Sequence, residues 1–170
     1  MNSSARASDP IAEAERQWRA HGWESAAEGM AAVTAITRTQ QLLQQRIDAL
    51  LRPLGLTFAR YEVLMLLDFS RRGSLPMSVV GARLQVHPAS VTSAVARLEE
   101  QGLAVRERTA QDRRMVLARI TPSGRRLARR ATHLLNEGVF DGIGLDARET
   151  GRLRALLDAV RAHAGDPGLA

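Results

Sequence analysis

The 170-residue sequence contains no cysteine and no lysine. Without cysteine there are no disulfides, no thiolate metal ligands and no thiol redox switch. Aromatic residues are 4% of the chain, too few for the stacking platforms on which single-stranded nucleic acid is usually held. No apolar run approaches the ~20 residues needed to cross a bilayer. The opening stretch MNSSARASDP has no apolar signal-peptide core, so a soluble, cytoplasmic protein is expected. Enzymatic signatures are also missing. No serine sits in a Gly-x-Ser-x-Gly elbow, and DGIG at 141–144 lacks the preceding strand and following lysine of a phosphate loop. His21, His87, His133 and His163 are too scattered for metal-ligand spacing. Neither a metal, nor a cofactor, nor an enzymatic activity is expected.

What is present is positive charge, all of it arginine, with a formal net of +6. Its placement is uneven. Eleven arginines face four acidic residues between Gly81 and Arg130, whereas the rest of the chain holds thirteen against fourteen. A basic excess confined to one segment marks contact with a polyanion, because clustered charge raises the local potential that steers such a partner in. With stacking platforms excluded, duplex DNA is the partner expected. Apolar residues at 45% supply enough hydrophobic surface for a globular core.

Periodicity and punctuation divide the chain into helices and one hairpin. A short helix is expected over 10–21, stopped by Gly22, and a long one from Met30 to Leu51, ended by Pro53 and Gly55. Thr57 is placed to cap a helix reaching Ser70, with Phe58, Tyr61, Leu64 and Leu67 turned to a core. RRGSLP reads as a loop. A helix over Met77–Leu84, a break at Gln85-Val86-His87 and a helix from Pro88 to Gln101 follow. Proline fits the first helical turn, where a missing N–H costs nothing. Leu103–Thr109 and Met115–Ile120 form a hairpin. Thr121-Pro122 opens another helix to about Asn136, EGVFDGIG is a break or kink, and Asp146 with Glu149 is a capping box for the last helix. There are no internal repeats.

Two helices joined by a three-residue turn and followed by a hairpin are the order of a winged helix-turn-helix, whose second helix enters the major groove. The fold expected is therefore mainly α with a small β-hairpin wing (α+β), accompanied by a helical dimerisation region. On the second helix Val91, Ala94, Val95 and Leu98 fall on the core side. The opposite face and its flanks carry mostly small side chains, among them Ala89, Ser90, Thr92, Ser93 and Ala96, with Arg97 alongside. Small side chains let hydroxyls reach base edges and let alanine meet a thymine methyl. Gly81 is where the preceding helix should cross closely. On the hairpin, Leu103 and Val105 are expected to share the packed face, with Arg106 and Arg108 on the other and Arg119 joining them. Leu153, Leu156, Leu157 and Val160 make an apolar stripe on the last helix, which needs a partner chain if none lies within its own.

From Leu56 to Gly124 the sequence resembles the MarR family of bacterial transcriptional regulators. The resemblance rests on VTSAVARLEEQGL, on Asp112-Arg113-Arg114 at the hairpin tip and on ITPSG, similar to the family's Leu-Thr-x-x-Gly helix start. Two positions depart from it. Gln85 stands where glycine is frequent, and His87 where a capping serine is usual. The resemblance implies DNA contacts from His87, Ala89, Ser90, Thr92, Ser93 and Arg97 on the recognition helix and from Arg106, Arg108, Asp112, Arg113 and Arg114 on the wing, with Ser78 as a phosphate contact. Arg114 would enter the minor groove, where negative potential is concentrated. Arg113 would meet phosphate, and Asp112 would hold an arginine in place.

The organisation expected is an N-terminal extension over 1–28, in which Trp18 and Trp23 pin the segment to the core or line a ligand pocket. A dimerisation region over 29–54 and 125–165 flanks a DNA-binding domain over 55–124. The expected function is a homodimeric, sequence-specific regulator on a pseudo-palindromic operator in double-stranded DNA, a repressor released by a small-molecule effector. The alternatives are a non-sequence-specific architectural DNA protein and a protein-interaction adaptor with an inert wing.

Overall fold

The computed structural model describes residues 9–108 and 115–166. The chain divides into two compact units, 1–46 and 47–170. In the first, α1 (Pro10–Ala20) begins at Asp9, whose carboxylate accepts from the Ile11 N–H at 3.1 Å. Arg19 at its end meets Glu15 at 2.8 Å, Glu24 at 3.4 Å and Glu28 at 3.5 Å, linking α1 to the start of α2 (Glu24–Leu51). That helix starts six residues before the Met30 expected from periodicity, because the Gly22 turn is followed directly by helix-forming residues. Trp18 and Trp23 pack edge-to-face across that turn, ring centroids 5.2 Å apart.

The second unit holds the last turn of α2 and everything after it. A 3-10 turn over Arg52–Leu54 ends at Gly55, whose φ of +67° costs glycine nothing. Thr57 caps α3 (Phe58–Phe69), which buries Tyr61, Val63, Leu64 and Leu67. The segment expected as a loop contains a strand, β1 (Ser74–Pro76). It precedes α4 (Met77–Leu84), α5 (Pro88–Glu100), β2 (Ala104–Arg108) and β3 (Val116–Ile120). The sheet order is β1-β3-β2, all antiparallel, with Leu75 opposite Ala118 and Arg106 opposite Ala118 on the other side. Three residues including a proline give no alternation to read. Proline is tolerated in β1 because it is an edge strand.

The ITPSG motif has a steric cause. Thr121 caps α6 (Pro122–Leu135): its hydroxyl accepts from the Gly124 N–H at 3.0 Å and donates to the Gly102 carbonyl at 2.8 Å. A Cβ on Gly124 would lie 2.0 Å from the Leu103 carbonyl oxygen, so only glycine lets α6 sit against the base of the hairpin. α6 buries Ala128, Ala131 and Leu135, and Arg125 reaches back to Asp68 of α3. The expected kink is a π-helical turn, Asn136–Phe140, where Gly138 packs on Leu50. The last helix, α7 (Ala147–His163), opens on the Asp146–Glu149 capping box. Among the described residues no helix is long and apolar enough to cross a membrane.

Candidate nucleic-acid interface

The interface is built on the crossing of α4 and α5. Gly81 is buried, and a Cβ there would stand 3.3 Å from a Val91 methyl, so glycine gives the close crossing room that a larger residue would obtain only by shifting Val91. The turn closes through the Val86 N–H donating to the Gly81 carbonyl at 3.2 Å. Gln85 adopts φ +53°, the left-handed region in which glycine is cheaper, and its side-chain amide donates to Asp166 at 2.8 Å. His87 takes over the role of a capping serine: its Nδ1 accepts from the Ala89 N–H at 3.2 Å. A ring accepting at Nδ1 carries its proton on Nε2, which leaves a donor at the start of α5.

Val91, Val95 and Leu98 of α5 are buried, as the helical wheel requires, while His87, Ala89, Ser90, Thr92, Ser93 and Arg97 are all exposed. Thr92 donates its hydroxyl to the Pro88 carbonyl at 3.0 Å, so only its lone pairs and methyl remain for a partner. Arg97 pairs with Glu100 at 2.7 Å. A cavity of about 400 Å³ brings Ser78 of α4, Thr92 of α5 and Arg106 of β2 together. Three elements that are separate in sequence thus contribute one polar or basic group each to one concavity.

The hairpin differs from its expected facing. Ala104, Ala118 and Ile120 are the buried residues of β2 and β3, and Val105 is 39% exposed. Arg106, opposite Ala118, therefore lies on the core-facing side with Arg108, and Val105 on the outer one. Arg106 is tied to Glu99 of α5, which accepts from its backbone N–H at 2.7 Å and from its guanidinium. Arg119 does not join Arg106 and Arg108. It projects from the opposite face, donates to both carboxylate oxygens of Glu107 at 2.9 Å, and reaches the Arg72 carbonyl at 3.1 Å. The Arg119 hydrogen bond holds the Glu107 carboxyl below the usual carboxylate range. Arg108 has no carboxylate partner among the described residues. Asp112, Arg113 and Arg114 lie outside the described residues.

Ser78 at the start of α4 is exposed. On α7, Leu153, Leu156 and Val160 are 40%, 68% and 55% exposed, Leu157 is half-buried, and no residue of the helix is buried. Thr57, which the sequence marks only as a helix cap, and Arg60, which it does not single out, border a second cavity along α5 with Ser90 and Ser93. Their place depends on how α3 packs against α5, for which no local signal exists.

Residues 54–115 match the family model described as MarR family. A MarR family transcriptional regulator from Streptomyces coelicolor, Sco5413, is 46% identical. The match covers 82% of this chain and 96% of that one with a TM-score of 0.73. Sco3205 from the same organism, a MarR family transcriptional regulator solved in complex with DNA, is 27% identical over 79% of this chain and 86% of its own, TM-score 0.71. The HTH-type transcriptional regulator PecS of Dickeya dadantii is 27% identical over 90% of this chain and 93% of its own length.

Proposed function

Because the chain belongs to the MarR family and is a DNA-binding transcriptional regulator rather than an enzyme, we propose that it acts as a homodimeric repressor on a pseudo-palindromic operator. The carrying observation is the convergence of Ser78, Thr92 and Arg106 on one concavity beside the exposed, small-residue face of α5. That arrangement suits a helix in the major groove, with hydroxyls at base edges and cationic groups at phosphates. The recognition contacts are Ser90 and Ser93, with Arg97 and His87 at either end. The wing contacts are Arg108 and the tip residues Arg113 and Arg114, oriented by Asp112. The DNA complex of the 27% identical Sco3205 supports duplex DNA as the partner.

The dimer reading is supported by α7. Leu153, Leu156 and Val160 leave an apolar stripe exposed on a helix with no buried residue. Covering such a stripe with a second copy removes it from water, at about 25 cal/mol per Å² of apolar surface. The functional division is then a DNA-binding domain over 55–124 between two parts of a dimerisation region. Release by an effector requires that the small molecule bind one spacing of the two recognition helices better than the other.

The test is selection of bound fragments from genomic DNA, then anisotropy on the selected and scrambled duplexes. A preference of three orders of magnitude or more is expected. Equal affinity for both duplexes would make the chain an architectural DNA protein, and no binding at low salt would leave the adaptor.

A further inference from the structure

Arg60 is an arginine held in place without a counter-charge. It stands in the first turn of α3, half-buried. Its Nε donates to the Thr57 hydroxyl at 3.2 Å and its Nη1 to the Gln101 side-chain carbonyl at 3.5 Å. Gln101 is itself anchored, donating through Nε2 to the Gly55 carbonyl at 3.0 Å. Both acceptors are neutral. Among the described residues Arg60 stands in none of the ion pairs that hold the other arginines of this face. Arg97, Arg106, Arg119 and Arg125 each have a carboxylate.

Fixing an arginine side chain costs up to about 2 kcal/mol of rotamer entropy, and here that ordering leaves the charge uncompensated. Thr57 contributes in the same direction. Its oxygen accepts from the backbone N–H and the Nε of Arg60, and its hydroxyl proton is left to donate outward. The two residues thus present a cation and a hydroxyl donor side by side, the pair of groups that an oxyanion takes. They border a cavity of about 620 Å³ that Ser90, Ser93 and Arg97 of α5 also line. The cavity containing Ser78 and Arg106 opens on the Thr92 flank of α5 instead. α5 therefore has a basic group on each flank.

We propose that Arg60, with the Thr57 hydroxyl, is a phosphate clamp for duplex DNA on the flank of α5 away from the hairpin, and that Gln101 is the positioning residue that aims it. This rests on α5 being the recognition helix. A strand whose bases meet Ser90 and Ser93 carries its phosphodiester past the same cavity. An oxyanion in free solution has the same chemistry, so the experiment separates the two sources.

Wild type, Arg60→Gln, Arg60→Lys and Gln101→Leu are compared by fluorescence anisotropy on selected operator and scrambled duplex over a salt series. Circular dichroism melts establish that each variant is folded. Arg60→Gln is expected to weaken both duplexes alike, on the order of tenfold per protomer near 0.1 M salt, and to reduce the slope of log affinity on log salt by about one per protomer. Arg60→Lys should keep the slope. Gln101→Leu should keep the slope and lose part of the affinity, since the charge remains but its aim does not. Inorganic phosphate, compared with chloride at equal ionic strength, should not displace the duplex. An unchanged slope in folded Arg60→Gln, alongside tight binding by wild type, overturns the clamp while leaving the recognition helix in place. Displacement by phosphate that requires Arg60 overturns the strand as the occupant. Failure of wild type to bind any duplex removes the function proposed above and the clamp with it.

Discussion

α5, the proposed recognition helix, and the root of the hairpin answer differently to the charge they carry. α5 exposes Ser90 and Ser93 with no carboxylate partner, and its only arginine is held by a neighbour one turn on. The hairpin carries the dense arginines, yet Arg106 is tied to Glu99 and Arg119 to Glu107. A count of basic residues therefore overstates the phosphate contacts that the hairpin root supplies. Groups already paired inside the protein would have to exchange one anion for another, and the exchange of exposed pairs contributes little. On the proposed function, α5 is the reading surface and the hairpin root its frame.

The largest effect should come from loosening the frame at the hairpin root. Gly124→Ala puts a methyl where the Leu103 carbonyl stands 2.0 Å away, so α6 must move off the hairpin base. Urea unfolding should show a loss of about 3 kcal/mol, the upper end of overpacking costs. A variant as stable as wild type would mean that the hairpin base can shift freely.

Next is the partnership of α7. Leu153→Asp with Leu157→Asp places one charge on the exposed stripe and a second at the half-buried position beside it, and sedimentation should report monomer or insoluble protein. A stable dimer from this double variant would move the interface elsewhere. Operator affinity should fall as dimerisation is lost, since each half-site is then bound alone.

The comparison sharpens further on single arginines. Arg119→Ala should leave the salt slope of duplex binding unchanged, because Glu107 already compensates that charge. Arg108→Ala and Arg114→Ala should each lower it by roughly one to two counterions per dimer. An Arg119→Ala slope change equal to that of Arg108→Ala would erase the distinction between frame and contact.

The smallest effect is a pH dependence of the frame. Hydrogen bonding from Arg119 lowers the Glu107 pKa in the folded state. The stabilisation is therefore present above the carboxyl's unfolded pKa and lost as pH falls through its folded one. Glu107→Gln should flatten the acid limb of thermal stability slightly relative to wild type. An acid limb identical in both would show that this ion pair does not support the fold.

Much of this was legible in the sequence because the signals were local. Thr57, Thr121 and Asp146 announce helix starts through their own neighbours within three residues, and Pro88 and Gly102 bound α5. The buried face of α5 follows from its periodicity. What escaped was non-local. β1 exists only because β3 pairs with it. The facing of the hairpin was misread because the buried position of β2 is the small Ala104, while the larger Val105 faces out. Arg60 meets Gln101 41 positions away, a contact that no spacing rule reaches. His87 stands where a capping serine is usual, and its ring nitrogen supplies the cap.

The most direct test of α5 as the reading surface is Ser93→Phe, measured by anisotropy on operator and scrambled duplex. A bulky ring at the centre of the exposed face should cost about 1–3 kcal/mol on the operator and leave scrambled duplex within twofold of wild type. Unchanged operator affinity, or equal losses on both duplexes, would contradict base reading by this helix.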